Sequence, residues 1–183
     1  RACRIVINYE QHIHPLWTLE RVILDEAGEQ VDDYTCTGCH TNEDDAGAAL
    51  VPAAQLDLTN GPSDQEPDHF KAYRELLFND NRQILEGGQL IDELEDTGEV
   101  VIDQETGEPV LDPVTGEEIP ILAPINVRPA MSVNGARASN RFFSIFRAGS
   151  AHKDFLTPAE LRLISEWLDI GGQYYNNPFD APA

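Results

Sequence analysis

The sequence predicts a mainly α domain that carries a small acidic β-hairpin insertion. Three observations point there: apolar residues recur at helical spacing in four windows, one of those windows has a complete N-terminal cap, and a nine-residue repeat interrupts them. With 183 residues and 41% hydrophobic content, the chain is long enough for one substantial core, and residues 1–183 are expected to form a single domain.

The first window, Asn8 to about Val22, places Ile13, Leu16, Trp17 and Leu19 on one helical face, with Pro15 expected to start or bend the helix. The following DEAGEQVDDY reads as a polar turn, and residues 41–68 read as loop from their Gly, Pro and Asp content. A second helix is expected over HFKAYRELLFND, with Phe70, Tyr73, Leu76 and Leu77 inward. The third is the short NRFFSIF segment. The fourth has Thr157-Pro158-Ala159-Glu160 as a capping box with Pro at the first helical position, and Gly171-Gly172 as its stop. Its buried stripe is Leu161, Ile164, Trp167 and Leu168.

Between the second and third helices, Thr97-Gly98-Glu99, Thr106-Gly107-Glu108 and Thr115-Gly116-Glu117 recur every nine residues around β-prone segments. One or two hairpins are expected, forming an insertion over 92–118. Calcium-binding repeats share this period, but the Gly-Gly-x-Gly-x-Asp pattern is missing. From Gln83 to Val127 there are twelve acidic residues and no Lys or Arg, within a net charge of −21. That balance argues against nucleic acid and anionic lipid and favours a basic partner surface. The acidic stretch reads as a solvated insertion or as a docking surface. No window is apolar over the length of a membrane span. The first residues, lacking Met and an export leader, read as those of a mature or excised segment.

The chemistry-bearing motif is Thr35-Cys36-Thr37-Gly38-Cys39-His40. Cys-x-x-Cys serves dithiol redox switches, half zinc sites and covalent haem attachment. Zinc would need a second ligand pair, and the one remaining cysteine is Cys3, with no second Cys-x-x-Cys and no His-x-x-x-His. A thioredoxin-type switch would need a βαβ setting, which the helical pattern does not supply. Covalent haem needs only Cys36 and Cys39 for the thioethers and His40 for the iron, so one haem c is expected.

With this motif, flanking helices, a proline-containing loop, a later methionine and a capped last helix, the chain resembles the class I c-type cytochromes. The resemblance implies a class I cytochrome c-like helical domain around one covalent haem. It places Met131 in RPAMSVNGA as the sixth ligand, giving His40/Met131 ligation, and Pro52 as the backbone acceptor of the His40 ring proton. Pro52 also reads as an ordinary loop proline. Met131 stands 91 residues after His40, and omitting the 27-residue stretch 92–118 leaves 64, the spacing the resemblance implies. Arg128, Arg137 and Arg141 flank the methionine segment as candidate partners of haem propionates or as simple charge balance. His12, His14, His69 and His152 are rival ligands, each read first as a packing or surface residue.

The implied function is single-electron transfer without an enzymatic site; the alternative is a haem sensor or peroxidase-like domain with an open sixth position. The resemblance also implies export to the periplasm or beyond, where Cys3 would be a buried thiol or pair outside this segment. INYEQHIHPLW, PAMSVNGARAS and LRLISEWLDIGGQYYN are similar to the cytochrome modules of large exported carbohydrate-binding proteins in polysaccharide-degrading Gram-negative bacteria. That narrower likeness implies a monomeric module of a larger protein and a redox partner such as a copper polysaccharide monooxygenase.

Overall fold

A computed structural model describes residues 6–176. The chain is 23% helix and 23% strand, so the expected mainly α, class I cytochrome c-like architecture gives way to a mixed fold of short helices and small antiparallel sheets. The difference starts in the first window. Asn8 caps a π-helical turn over Tyr9–Ile13 by accepting from the Gln11 N–H, and α1 covers only Pro15–Thr18. Pro15 has no N–H to continue the preceding turn, which divides the expected single helix. The chain then forms β1 (Val22–Leu24) and β2 (Gln30–Asp33), an antiparallel hairpin where a plain turn was expected.

α2 (Lys71–Leu77) buries Tyr73, Leu76 and Leu77, and α3 (Asn140–Ser144) is the short helix of the aromatic segment. α4 (Pro158–Asp169) carries the full capping box: Thr157 accepts from the Glu160 N–H and Glu160 accepts from the Thr157 N–H at 2.6 Å. Its buried residues are Ile164, Trp167 and Leu168, three of the four expected.

Between α2 and α3 lie paired strands. β3 (Asp80–Asn81) pairs with β8 (Asn126–Val127), β4 (Gln83–Glu86) with β5 (Gln89–Asp92), and β6 (Leu94–Val100) with β7 (Pro120–Pro124). The expected hairpins over 92–118 are therefore the outer part of a larger hairpin stack that leaves and re-enters the core at Asp80 and Val127. Each repeat turn is closed by an aspartate: Asp103 accepts from the Glu105 and Thr106 N–H groups, and Asp112 from those of Val114 and Thr115. Gly107 and Gly116 then take φ of +73° and +74°, a conformation without penalty only for glycine.

The core gathers the N-terminal turn, α2 and α4 around aromatic rings. Tyr9 is fully buried between Tyr73, Trp167 and Tyr174, with ring centroids 5.1, 5.6 and 5.7 Å away. Its hydroxyl accepts from Trp17 Nε1 at 3.1 Å, and burial pushes its pKa well above the usual tyrosine value. Among the described residues, no helix is long and apolar enough to cross a membrane.

Candidate haem site

The Cys36–His40 segment opens with a 3-10 turn over Cys36–Gly38. The His40 N–H donates to the Cys36 carbonyl at 3.0 Å, and Cys36, Cys39 and His40 share one wall of a cavity of about 470 Å³. Neither thiol is in a disulfide, and burial raises the Cys36 pKa, with Arg21 opposing. The turn is held from the far end of the chain. Arg21 pairs with Glu160 of the capping box at 2.7 Å, its N–H donates to Thr35 Oγ1, and its carbonyl accepts from the Tyr34 N–H. The last helix, expected only as core, thus anchors the residues just ahead of Cys36.

His40 is oriented by a backbone carbonyl, but that carbonyl is not the one the resemblance implied. His40 Nδ1 lies 3.1 Å from the Leu56 oxygen, whereas the Pro52 oxygen accepts from the Gln55 N–H in the short turn Ala53–Gln55. That turn contains Ala54 and Gln55 at φ of +55° and +59°, which swings the next carbonyl toward the histidine. Pro52 is therefore a buried turn residue, and Leu56 does the orienting. Burial lowers the His40 pKa, partly opposed by the Leu56 carbonyl.

The rest of the cavity is mostly apolar. Trp17, Leu56, Leu58, Leu76, Phe142 and Phe146 line it, together with Ala130 and Pro129 from the methionine segment. Arg128 and Arg141 stand on its wall; both are exposed side chains, with no ion-pair partner among the described residues. Asp32, Asp33, Glu75 and Asp80 also border the cavity, but none pairs with either guanidinium, so both are free to meet an acidic ligand edge. Arg137 is exposed and does not line the cavity.

Met131 is buried at 3% exposure, its N–H donates to the Leu76 carbonyl at 2.8 Å, and it lines a second recess rather than the main cavity. Arg128, Pro129, Ala130 and Arg141 border both spaces, so the methionine lies behind a shared wall. His152 does line the main cavity, with its ring centroid 6.2 Å from that of His40. Of the other histidines, His14 packs on Phe70, His69 stacks on Tyr174, and His12 bonds to Asn8. Cys3 lies outside the described residues.

Sequence reasoning also missed Glu75. It reaches the cavity from α2, accepts from the Asp57 N–H, and lies 3.3 Å from Lys71 Nζ; burial pushes its pKa up to about 7. A helical-wheel reading gave only the apolar face of α2, because a buried carboxylate has no distinct sequence pattern.

No protein-family model, no curated protein and no solved structure matches the chain. The donor set and the space fit a haem on their own terms. Two thiols and an oriented imidazole share the wall of a ring-sized apolar cavity, and two unpaired arginines stand at its edge. Among the described residues no three His, Cys, Asp or Glu side chains converge as a metal cluster.

Proposed function

We propose that the protein is a monohaem c-type cytochrome that carries single electrons. The observation that carries this reading is the shared placement of Cys36, Cys39 and His40 on the wall of the 470 Å³ apolar cavity. In this reading the two thiols hold the macrocycle by thioethers and His40 binds the iron. The Leu56 carbonyl fixes the His40 ring and strengthens it as a donor. Arg128 and Arg141 neutralise the propionates, and the apolar wall excludes water. The bound haem supplies a one-electron ferric/ferrous couple. Acid–acetone extraction of matured protein tests the reading: the haem stays with the polypeptide, and colour that leaves entirely with the solvent refutes it.

The proposed setting is periplasmic or extracellular, and the proposed partner is a redox protein with a basic docking face, such as a copper polysaccharide monooxygenase. The negative charge supports a basic partner. Anaerobic mixing of the reduced protein with the oxidised copper enzyme is expected to reoxidise the haem quickly, and a copper-free enzyme is the control. Equal slow rates with both would remove this partner while leaving the cytochrome reading untouched.

A further inference from the structure

We infer that His152 supplies the second axial ligand, so that the iron sits between two imidazoles, His40 and His152. The inference deepens the haem reading above and rests on it.

The first observation is the spacing of two rings. His40 and His152 have centroids 6.2 Å apart and ring planes at 32°. Two imidazoles on opposite sides of one metal, with metal–nitrogen bonds of about 2.0–2.1 Å, put their centroids roughly 6 Å apart once the ring radii are added. The cavity that both rings line occupies the space beside them.

The second observation is a buried polar atom with no partner. His152 Nδ1 is buried and makes no hydrogen bond; His14 Nε2 and His69 Nδ1 share that state, but of the three only His152 lines the cavity. The ring is nonetheless held firmly. It packs edge-on against Phe155 at 5.1 Å and Phe146 at 6.0 Å, and Phe155 stacks on Tyr34, two residues ahead of Cys36. The His152 N–H donates to the Ile145 carbonyl at 3.2 Å. One aromatic stack therefore fixes His152 relative to the attachment turn, as ligation requires.

The third observation is the donor count. Two imidazoles converge here, and no cluster of three His, Cys, Asp or Glu occurs among the described residues. A pair of this kind completes a metal that brings its own four equatorial donors, which a haem does. Met131, by contrast, lines the neighbouring recess and not the cavity shared by His40 and His152.

The test uses the matured holoprotein, with electron paramagnetic resonance and near-infrared magnetic circular dichroism of the ferric form. The expected wild-type result is a low-spin signal with the charge-transfer energy of two imidazoles and no thioether-to-iron band. His152→Ala is expected to turn high-spin and to bind carbon monoxide when ferrous, and Met131→Leu to keep the wild-type spectrum. His152→Met is expected to stay low-spin with a raised reduction potential. If His152→Ala fails to mature, the wild-type and Met131→Leu spectra still decide. A thioether band in the wild type that vanishes in Met131→Leu overturns the inference, as does a high-spin wild type that binds carbon monoxide. Either outcome leaves covalent haem in place, whereas a wild type without covalent haem would refute the cytochrome reading itself.

Discussion

Tyr9, Trp17, Leu76, Ile164 and Trp167 in the core are at most 1% exposed, while Val114 in the hairpin stack is 91% exposed and Leu94, Leu111 and Leu122 are all more than half exposed. The two regions hold their shape by different means. The core draws on rings brought together from opposite ends of the chain, so removing one ring leaves space that its neighbours cannot fill. The hairpins draw on cross-strand bonds such as Val101 N–H to the Ile119 carbonyl, and on aspartates that bond to the turn just after them. Damage in the first region should therefore spread, and damage in the second should stay local.

The largest expected effect follows from the core. Trp167→Ala removes a fully buried ring whose Nε1 donates to the Gln173 carbonyl at 2.9 Å, and it is expected to cost about 3–5 kcal/mol. Val114→Ala in the hairpins is expected to change stability by less than about 0.5 kcal/mol. Urea midpoints measure both, and equal midpoints would abolish the contrast.

Next is the buried carboxylate at the cavity. The Glu75 pKa is raised from 4.5 to about 7, chiefly by burial, while the Asp57 N–H and Lys71 oppose the shift and the Asp57 and Asp80 carboxylates reinforce it. The folded protein then holds a proton that the unfolded chain releases, so the stability tied to Glu75 is present below pH 4.5 and lost as pH rises toward 7. The loss amounts to at most about 3 kcal/mol. Glu75→Gln is expected to flatten this slope in denaturation series across that pH range, and an unaltered slope would place its source elsewhere.

A smaller effect is expected where the methionine segment meets α4. Gly135 has φ of +100°, and a Cβ there would lie 2.9 Å from Asp169 Oδ1, the atom that accepts from the Ala136 N–H. Gly135→Ala is expected to cost about 1–2 kcal/mol through this strain and to loosen the wall formed by Pro129 and Ala130. Thermal melting reads the first consequence, and on the proposed cytochrome reading the haem spectrum reads the second.

A small effect on the core is expected from removing the outer hairpins. The Ile125 N–H donates to the Glu93 carbonyl at 2.9 Å, so replacing residues 94–124 by a two-residue Asn-Gly turn between these neighbours preserves the inner pairing. The replacement is expected to change core stability by less than about 1 kcal/mol and, on the proposed cytochrome reading, to keep the haem spectrum and flatten the salt dependence of electron transfer to a cationic acceptor. Loss of the haem spectrum would show that the two regions are energetically joined.

Local chemistry was legible from residue order. The Thr157–Glu160 cap, the repeat turns with their glycines, and the Cys36–His40 turn each depend on groups a few residues apart, so the sequence by itself determined them. Helix extent was less legible. Ile13, Leu16, Trp17 and Leu19 have helical spacing, but Pro15 divides the segment and Leu19 is half exposed, and the mainly α expectation failed partly for that reason. What only the tertiary structure decided involves partners far apart in the chain. Leu56 rather than Pro52 meets His40 because two left-handed residues redirect the loop, and Glu160 steadies Thr35 through Arg21. His152 rather than Met131 faces the cavity because a stack of Tyr34 on Phe155 carries it there. The His40–Leu56, Arg21–Glu160 and Tyr34–Phe155 contacts each close a loop of 16 residues or more, and their geometry depends on how the intervening segments pack, which periodicity and spacing do not encode.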